Sequence, residues 1–345
     1  MRVLSHRIAL TFEEDATFFI DCNDGESLVD AGDRAGVRIP TDCRDGVCGT
    51  CRSLCESGTY TMSDDYLEEA LTDEEAAEGF ILACQTTPLS DMVVRVPVAS
   101  TVAGLSKRAV PGSIQQVNIL SSSTAEVVID TGSSSPMHFL PGQYAGLEAG
   151  GLDRARNYSF SNQPGTPFIK FLIRLVPDGG MSQYLAGSAA VGDPVDIHGP
   201  QGAFYLRDIQ RPLVFVAGGT GLAPFLAMLE SRAGSLDHPQ VTLLLGVTND
   251  EDLVKVEELE AFKASHPWFD FQYRIANPKQ GGPAGLVTDL FSPELAIEQS
   301  DLYLCGPPVM VEAVHRYIRS EGRAPVRIFA EKFLVEAAPS LSEAG

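Results

Sequence analysis

Hydrophobic and polar positions divide the chain into three stretches with different periodicities. Near the amino terminus, apolar and polar residues alternate in "HRIALTF" and "TFFIDC". This alternation predicts a β-hairpin, because successive side chains of a strand point to opposite faces. Ser27 precedes "LVDAGDRAG" and predicts a capped helix. An acidic helix is expected over residues 66–78, then a last strand in "MVVRVPV" and a small, polar linker in "ASTVAGLSKRAVPG".

The two later stretches differ from the first and from each other. Short apolar runs separated by Gly and Pro ("AEVVID", "GQYAGLE", "NYSFS", "FIKFLIRLV", "DPVDIHGP") predict a small antiparallel barrel. Further on, apolar strands such as "PLVFVAG", "VTLLLGV" and "DLYLCG" alternate with helical segments, which predicts a parallel α/β sheet with helices on both faces. We therefore expect domains over residues 1–100, 107–209 and 210–335, a linker over 101–110 and a disordered tail over 336–345.

Composition and charge narrow the classes of function. The 345 residues contain no apolar run near the roughly 20 residues of a membrane span, and the amino terminus does not resemble a signal peptide, so a cytoplasmic protein is expected. Residues 1–100 hold 20 Asp and Glu, 7 Arg and no Lys, which argues against nucleic-acid binding. The acidity suits docking on a basic partner, or solubility alone, and both interpretations stay open.

The cysteines are concentrated in "TDCRDGVCGTCRSLC". The spacing Cys43-x4-Cys48-x2-Cys51, with Cys84 far downstream, is the plant-type pattern of [2Fe–2S] ligands. A structural zinc site would use two C-x2-C pairs, and only one is present. A thioredoxin-like redox pair lacks its βαβ unit, so both alternatives are less favoured than an iron–sulfur cluster.

Glycine and the remaining cysteines complete this interpretation. Gly46 and Gly49 lie between the loop ligands, where they allow the backbone to curl and aim N–H groups at the sulfurs. Cys22 and Cys55 are expected to be small packed apolar residues. Residues 1–98 resemble a plant-type ferredoxin domain, on "CRDGVCGTCRSLCESG" and "GFILACQT". The resemblance implies an α+β fold of the β-grasp type that carries one electron at a time.

A second resemblance lies in the barrel stretch. Arg156-x-Tyr158-Ser159 resembles the FAD-binding signature of the ferredoxin–NADP⁺ reductase superfamily. The resemblance implies that Arg156 pairs with the flavin pyrophosphate, that Tyr158 stacks on the isoalloxazine, and that Ser159 lies near flavin N5. FMN is the alternative flavin. The segment "VPDGGMSQYLAG" is expected to close over the diphosphate, with a short helix opened by its serine, through Gly180, Met181 and Ser182.

A third resemblance points to a nicotinamide site. The loop in "LVFVAGGTGLAPF" has Pro where the usual dinucleotide fingerprint has its third Gly, and so resembles the flavin reductase superfamily. The resemblance implies cofactor-binding roles for Cys305 and Phe333, and a role near the nicotinamide for Glu331. Asp250, Glu251 and Asp252 follow the second strand and are expected to repel the 2′-phosphate of NADPH. Further cofactor-binding positions are expected at Gly218, Gly219, Thr220, Gly221, Pro224, Gly306 and Pro307.

The order of the three stretches resembles the reductase components of benzoate/toluate-type 1,2-dioxygenases, also on "HFLPGQY", "GAFYLRD" and "CGPPVMVEAV". The resemblance implies an NADH-dependent oxidoreductase, monomeric, in which Ser159, Cys305 and Glu331 assist hydride transfer from NADH to FAD. Single electrons then pass through [2Fe–2S] to a Rieske oxygenase. Alternatives are the reductase of a di-iron hydroxylase or of sugar deoxygenation. A zinc-stabilised interaction module is the alternative without turnover, and the barrel and nicotinamide motifs count against it.

Overall fold

The computed structural model describes residues 5–13, 17–103, 109–132, 137, 139–152, 154–202, 204–207, 209–234 and 239–333. The chain divides into two compact units, one of residues 1–109 with 198–203 and one of residues 110–197 with 204–345. None of the helices in these ranges is long and apolar enough to cross a membrane. The predicted tail over 336–345 lies outside the described residues.

The first unit is built on a five-stranded sheet of order β2-β1-β7-β3-β5. The predicted hairpin is confirmed, since β1 and β2 pair antiparallel, and β7 pairs parallel with β1 on its other side. Ser27 caps the first helix as predicted, because its side chain accepts from the N–H of Asp30. The elements of this unit are β1 Ser5–Thr11, β2 Thr17–Asn23, α1 Leu28–Ala35, β3 Arg52–Ser57, β4 Tyr60–Met62, α2 Asp73–Ala77, β5 Phe80–Leu82, β6 Thr86–Pro88, β7 Met92–Arg95 and α3 Ser100–Ala103.

Two expectations for this unit are wrong in extent. The acidic helix predicted over residues 66–78 forms only as α2, which starts after a capping box between Thr72 and Glu75. The predicted linker includes α3, and its residues 104–108 lie outside the described residues. Periodicity overestimated the acidic helix because residues 66–71 are fixed by contacts with a distant loop, described below, which no local pattern records.

The second unit begins with a six-stranded sheet of order β11-β10-β13-β8-β9-β12. An isolated antiparallel bridge between Phe160 and Phe171 joins the two edge strands and closes the sheet into the predicted barrel. The apolar interior includes Ile114, Val127 and Ile173. Its elements are β8 Val110–Ser121, β9 Thr124–Asp130, β10 Tyr144–Ala149, β11 Arg156–Ser159, β12 Phe168–Arg174, α4 Gly180–Gly187 and β13 Pro194–Gln201.

The first barrel strand was missed by the sequence analysis. β8 is the longest strand described, with 12 residues, yet it carries Gln, Asn and Ser and starts inside the predicted linker. It pairs with β9 on one side and β13 on the other. Its backbone hydrogen bonds are therefore satisfied by two neighbours, which lets a polar sequence form a strand that hydrophobicity does not mark.

The same unit continues into a five-stranded parallel sheet of order β16-β15-β14-β17-β18. The predicted helices cover both faces: α5 and α6 contribute to one apolar core and α7 to the other. Chain order runs outward from β14 to β16 and then resumes on the opposite side at β17, so the sheet reverses between β14 and β17. The elements are β14 Leu213–Gly218, α5 Ala223–Glu230, β15 Val241–Val247, α6 Val256–Ser265, β16 Phe269–Ile275, β17 Asp301–Gly306, α7 Pro308–Glu321 and β18 Arg327–Lys332.

Candidate functional site

The four predicted cluster ligands form two close pairs in the first unit. Cys43, Cys48 and Cys51 lie in the loop between α1 and β3, and Cys84 follows β5. The Cys51 thiol donates to Cys84 Sγ at 3.3 Å, while the backbone N–H of Cys48 donates to Cys43 Sγ at 3.4 Å. Among the residues that the structure describes, no three Cys, His, Asp or Glu side chains surround one point. These contacts associate Cys43 with Cys48 and Cys51 with Cys84, a pairing that suits a cluster of two irons, each taking two thiolates, better than a single tetrahedral zinc ion.

Hydrogen bonding between Cys51 and Cys84 favours the thiolate form of Cys84. The hydrogen bond from Cys51, aided by the backbone N–H of Gly46, outweighs the effect of burial and lowers the pKa of Cys84 to about 7. The same hydrogen bond, together with burial, raises the pKa of Cys51. Because thiolates are the form that ligates iron, the donor set fits the cluster that the spacing predicted.

The two glycines of the loop are required by close packing. Gly46 has φ 82° and Gly49 has φ 72°, both in the left-handed region. A Cβ on Gly46 would lie 2.7 Å from Cβ of Tyr66, and one on Gly49 would lie 3.1 Å from the carbonyl oxygen of Ala70. Residues 65–70 therefore lie directly on the cysteine loop, which explains why this segment does not continue the acidic helix.

The predicted flavin residues share one short strand of the barrel. Arg156, Tyr158 and Ser159 lie on β11, with Arg156 donating to the carbonyls of Arg154 and Ala155 at 3.2 and 3.4 Å. Burial raises the pKa of Tyr158 to about 12, which keeps the phenol neutral and suited to stacking. The alternation expected of a strand places Arg156 and Tyr158 on the same face of β11.

The helix expected at the diphosphate begins earlier than predicted. Ser182 was expected to open this helix, but α4 starts at Gly180, and Ser182 Oγ accepts from the N–H of Val176 at 2.8 Å. Met181 is buried in the barrel core. The N–H groups of the first turn have no intrahelical acceptor and form the kind of anion site that a diphosphate occupies.

The two nicotinamide motifs meet where the parallel sheet reverses its order, the usual ligand site of such sheets. β14 ends at Gly218 and is followed by a 3₁₀ turn, Gly219–Leu222, which includes Thr220; α5 then carries Pro224 in its first turn as predicted. A Cβ on Gly221 would overlap the carbonyl of Cys305.

The loop after β17 is packed just as closely. A Cβ on Gly306 would lie 3.0 Å from Cα of Gly218, and one on Gly218 would lie 2.7 Å from Cδ of Pro307. The two loops therefore touch through their backbones, and only glycine fits at these contacts.

The three predicted catalytic side chains converge at this junction. Ser159 Oγ lies 3.4 Å from Glu331 Oε2, and Cys305 Sγ lies 3.9 Å from the same oxygen. Cys305 is fully buried at the end of β17, and burial, aided by Glu331, holds the pKa of its thiol well above the ordinary value. The backbone N–H of Phe333 donates to the carbonyl of Gly306 at 3.0 Å, which places Phe333 beside the same loop.

The acidic turn after β15 differs from the prediction at one position. Asp252 is 4 % exposed, bonds the N–H of Asn249 at 3.0 Å and pairs with Arg174 at 3.1 Å. It therefore belongs to the fold of the turn. Asp250 also accepts a hydrogen bond, from the backbone N–H of Lys279 at 2.6 Å, and Glu251 is exposed.

Arg174 is a cation near the nicotinamide loops that was not expected from the sequence. Arg174 ends β12, and its Nη1 lies 3.6 Å from the position that a Cβ on Gly219 would take. The sequence offered no signal for it beyond a cation at a strand end, because its neighbours come from another module.

The two remaining cysteines differ in burial. Cys22 is buried as predicted, whereas Cys55 is half-buried beside a β-bulge and is not a core residue.

Comparison with known proteins agrees with these three parts. The chain matches the model of the 2Fe-2S iron-sulfur cluster binding domain over residues 11–89. It matches the oxidoreductase FAD-binding domain over residues 111–205 and the oxidoreductase NAD-binding domain over residues 215–316. Together these matches give an oxidoreductase with [2Fe–2S], FAD and NAD as cofactors.

Individual relatives match along almost the whole chain. The toluate 1,2-dioxygenase electron transfer component of Pseudomonas putida is 46% identical, covering 97% of this chain and 100% of the relative. The 2-halobenzoate 1,2-dioxygenase electron transfer component of Burkholderia cepacia is 42% identical, covering 95% and 98%. Among solved structures, an Amycolatopsis cytochrome P450 reductase is 30% identical with a TM-score of 0.71, covering 94% of this chain and 98% of that one.

Proposed function

Because the chain belongs to the family of electron transfer components of aromatic-ring 1,2-dioxygenases, we propose that it supplies NADH-derived electrons to an oxygenase of the benzoate/toluate type. The observation that carries the proposal is the convergence of Ser159 and Cys305 on one carboxylate oxygen of Glu331. These side chains come from the barrel and from two strands of the parallel sheet, so they meet only where flavin and nicotinamide would meet. We further propose that the protein is cytoplasmic and monomeric, with domains near residues 1–100, 107–209 and 210–335.

We propose that the cysteine pairs Cys43/Cys48 and Cys51/Cys84 each hold one iron. The lowered pKa of Cys84 supports the assignment, since a ligand must be available as thiolate. Backbone N–H groups that point at the sulfurs, such as those of Cys48 and Gly46, stabilise their negative charge and thereby tune the potential of the centre.

The flavin site is assigned to β11 and α4. Arg156 would neutralise the pyrophosphate and Tyr158 would present its ring to the isoalloxazine, while the α4 amino terminus would bind phosphate oxygens through Gly180, Met181 and Ser182. The chemistry that bound FAD would supply is two-electron reduction by a hydride from NADH, followed by release of the electrons one at a time.

The nicotinamide would lie on the two glycine-containing loops. Gly221 and Gly306 leave the backbone bare enough for close approach, and the guanidinium of Arg174 lies beside Gly219, where the dinucleotide phosphates are expected. Cys305 stays a neutral thiol because burial raises its pKa, so it can sit against the nicotinamide without introducing charge. Ser159 Oγ donates toward Glu331 at 3.4 Å, and this contact would hold its hydroxyl next to the reacting face of the flavin.

The choice of oxygenase is tested by reconstitution. The pure reductase, loaded with FAD and iron–sulfur cluster, is combined in turn with benzoate, toluate and anthranilate oxygenase components, and product is measured per NADH consumed. We expect coupled product with at least one of these oxygenases. Coupling to a di-iron hydroxylase alone would favour the alternative client, and NADH oxidation without any product would contradict the proposal.

A further inference from the structure

Two neighbouring barrel strands present a polar face toward the parallel-sheet module. Val127 of β9 and Phe171 of β12 point into the barrel core. Leu172, the next residue of β12, instead packs in the core of the parallel sheet. Glu126 lies opposite Leu172 in the antiparallel register, and Arg174 lies two residues beyond it. Since strand side chains alternate, Glu126 and Arg174 share the outward face with Leu172.

The turn that follows β15 meets this face with charges of opposite sign. Lys255 Nζ lies 2.7 Å from Glu126 Oε1, and Arg174 Nη1 lies 3.1 Å from Asp252 Oδ1. An anion and a cation on the strands thus face a cation and an anion on the turn. We call these four side chains the charge quartet; a displacement of the turn along the strands would bring like charges together, so the quartet favours one register.

Three of the four side chains of the charge quartet are largely buried, so leaving one of them without its oppositely charged partner would cost free energy. The side chains of Lys255, Glu126 and Asp252 are 7 %, 12 % and 2 % exposed, while Arg174 is 46 % exposed. Lys255 also adopts φ 66°, a conformation uncommon for residues other than glycine. A buried amine in a left-handed conformation persists only where its surroundings determine it, and such positions concentrate at functional sites. Here the surroundings that determine it are the turn itself and two carboxylates, those of Glu126 and of Glu258, whose Oε1 lies 2.6 Å from Lys255 Nζ. Glu258 is exposed and lies on the helix that directly follows Lys255, so of the two only Glu126 joins the amine to the barrel.

The exposed end of the charge quartet, at Arg174, lies next to the nicotinamide site. Arg174 Nη1 reaches the glycine loop at Gly219, and the backbone carbonyl of Glu251, next to Asp252, accepts from Ser123 of the barrel at 3.2 Å. We propose that Lys255 and Glu126 are positioning residues, whose buried pair sets the register in which the nicotinamide-binding loops meet the flavin-binding strand. The inference rests on the function proposed above, since it concerns the hydride step of that reaction.

The test separates binding from hydride transfer in the holoenzyme. Flavin reduction is followed by stopped-flow at saturating NADH, together with the NADH dissociation constant and the isotope effect with 4-deuterated NADH. For Lys255→Met we expect hydride transfer to slow by roughly 10- to 100-fold, the scale of a misplaced reactant, with NADH affinity nearly unchanged. Lys255→Arg should recover most of the rate because it keeps the charge.

A matched control removes a comparable cation elsewhere in the module. Arg323 is 16 % exposed and pairs with Glu298 at 2.6 Å, and both partners belong to the parallel-sheet module. Arg323→Met should lower the melting temperature but leave hydride transfer intact. A wild-type rate for Lys255→Met, or equal slowing by Arg323→Met, would overturn the inference.

The inference can still be tested if the Lys255→Met variant fails to fold. If Lys255→Met does not fold, Glu126→Asp keeps the charge and withdraws the carboxylate by one methylene, and it should still slow the isotope-sensitive step. A wild-type rate for Glu126→Asp in that case would contradict the proposed positioning. Wild-type protein that NADH does not reduce would overturn the proposed function and this inference together, whereas an unimpaired variant overturns the inference alone.

Discussion

Ser159 and Glu331 are separated by 172 residues along the chain, yet Ser159 Oγ lies 3.4 Å from Glu331 Oε2. One residue ends a barrel strand and the other lies on the edge strand of the parallel sheet. Their hydrogen bond joins the flavin-binding and nicotinamide-binding modules at the point where hydride transfer is proposed.

We expect Ser159→Ala to lower the rate of flavin reduction by NADH by roughly 10²-fold, the usual cost of removing one positioned donor. Ser161→Ala is the matched control, because Ser161 is equally buried, lies two residues further on, and its hydroxyl has no hydrogen-bond partner among the described residues. Stopped-flow flavin absorbance measures both variants. Equal rates for the two variants would remove Ser159 from the hydride step.

Cys84→Ser is expected to abolish the [2Fe–2S] centre while NADH-to-ferricyanide activity is largely retained, because that route can end at the flavin. Cys55→Ser is the control, since Cys55 is half-buried and its thiol donates to the nearby carbonyl of Ser57, at 3.5 Å. Iron content and the EPR spectrum of the dithionite-reduced protein provide the measurement. A normal EPR signal from Cys84→Ser would refute the ligand assignment.

Wild-type protein should prefer NADH to NADPH, because Asp250 and Glu251 follow the second strand of the parallel sheet, where their negative charge is expected to repel the 2′-phosphate. Neutralising both, as Asp250→Asn with Glu251→Gln, should raise kcat/KM for NADPH by about tenfold, which corresponds to about 1.4 kcal/mol of relieved repulsion. Steady-state kinetics with both nucleotides give the ratio. Asp252→Asn should instead leave the ratio unchanged, since Asp252 is committed to Asn249 and Arg174. Equal kcat/KM for NADH and NADPH in the wild type would contradict the charge argument.

Asp301→Asn should destabilise the parallel-sheet module at neutral pH by about 1–3 kcal/mol, the cost of removing a buried, hydrogen-bonded charge. Burial disfavours the Asp301 carboxylate, but hydrogen bonds from Arg327 and Arg211 outweigh it and lower its pKa below the ordinary 3.8. A lowered folded-state pKa adds stability that is fully present above the unfolded pKa and is lost as pH falls through the folded one.

The difference between wild type and Asp301→Asn should therefore be constant near pH 7 and shrink below about pH 4. Urea unfolding followed by Trp268 fluorescence measures it, because the single tryptophan of the chain packs in this module. Asp270→Asn, which removes an exposed partner of Lys263, is the control and should have little effect. A difference that persists unchanged to pH 3 would contradict the assigned ionisation.

Local pattern was sufficient wherever the determinant of structure lies within a few residues. The alternation in "HRIALTF" and the cap at Ser27 act through adjacent backbone groups, so hairpin and helix were both predicted. The glycine loop from Gly218 to Gly221 and its helix with Pro224 follow from the same short-range rules. Cysteine spacing predicts Cys43, Cys48 and Cys51 as ligands from one loop, and Cys84 as the distant fourth, because this is the plant-type [2Fe–2S] pattern.

Local sequence pattern was therefore enough to predict most of the elements, the three kinds of cofactor chemistry and their order along the chain. Contacts between distant segments were needed for the pairing of polar β8, for the packing of residues 65–70 on the cysteine loop, and for the burial of Asp252 against Arg174. It also brought Ser159 to Glu331 and Lys255 to Glu126. In each case the partner is distant in sequence, and the free energy of burying a charge or a polar strand depends on that partner, not on neighbouring residues.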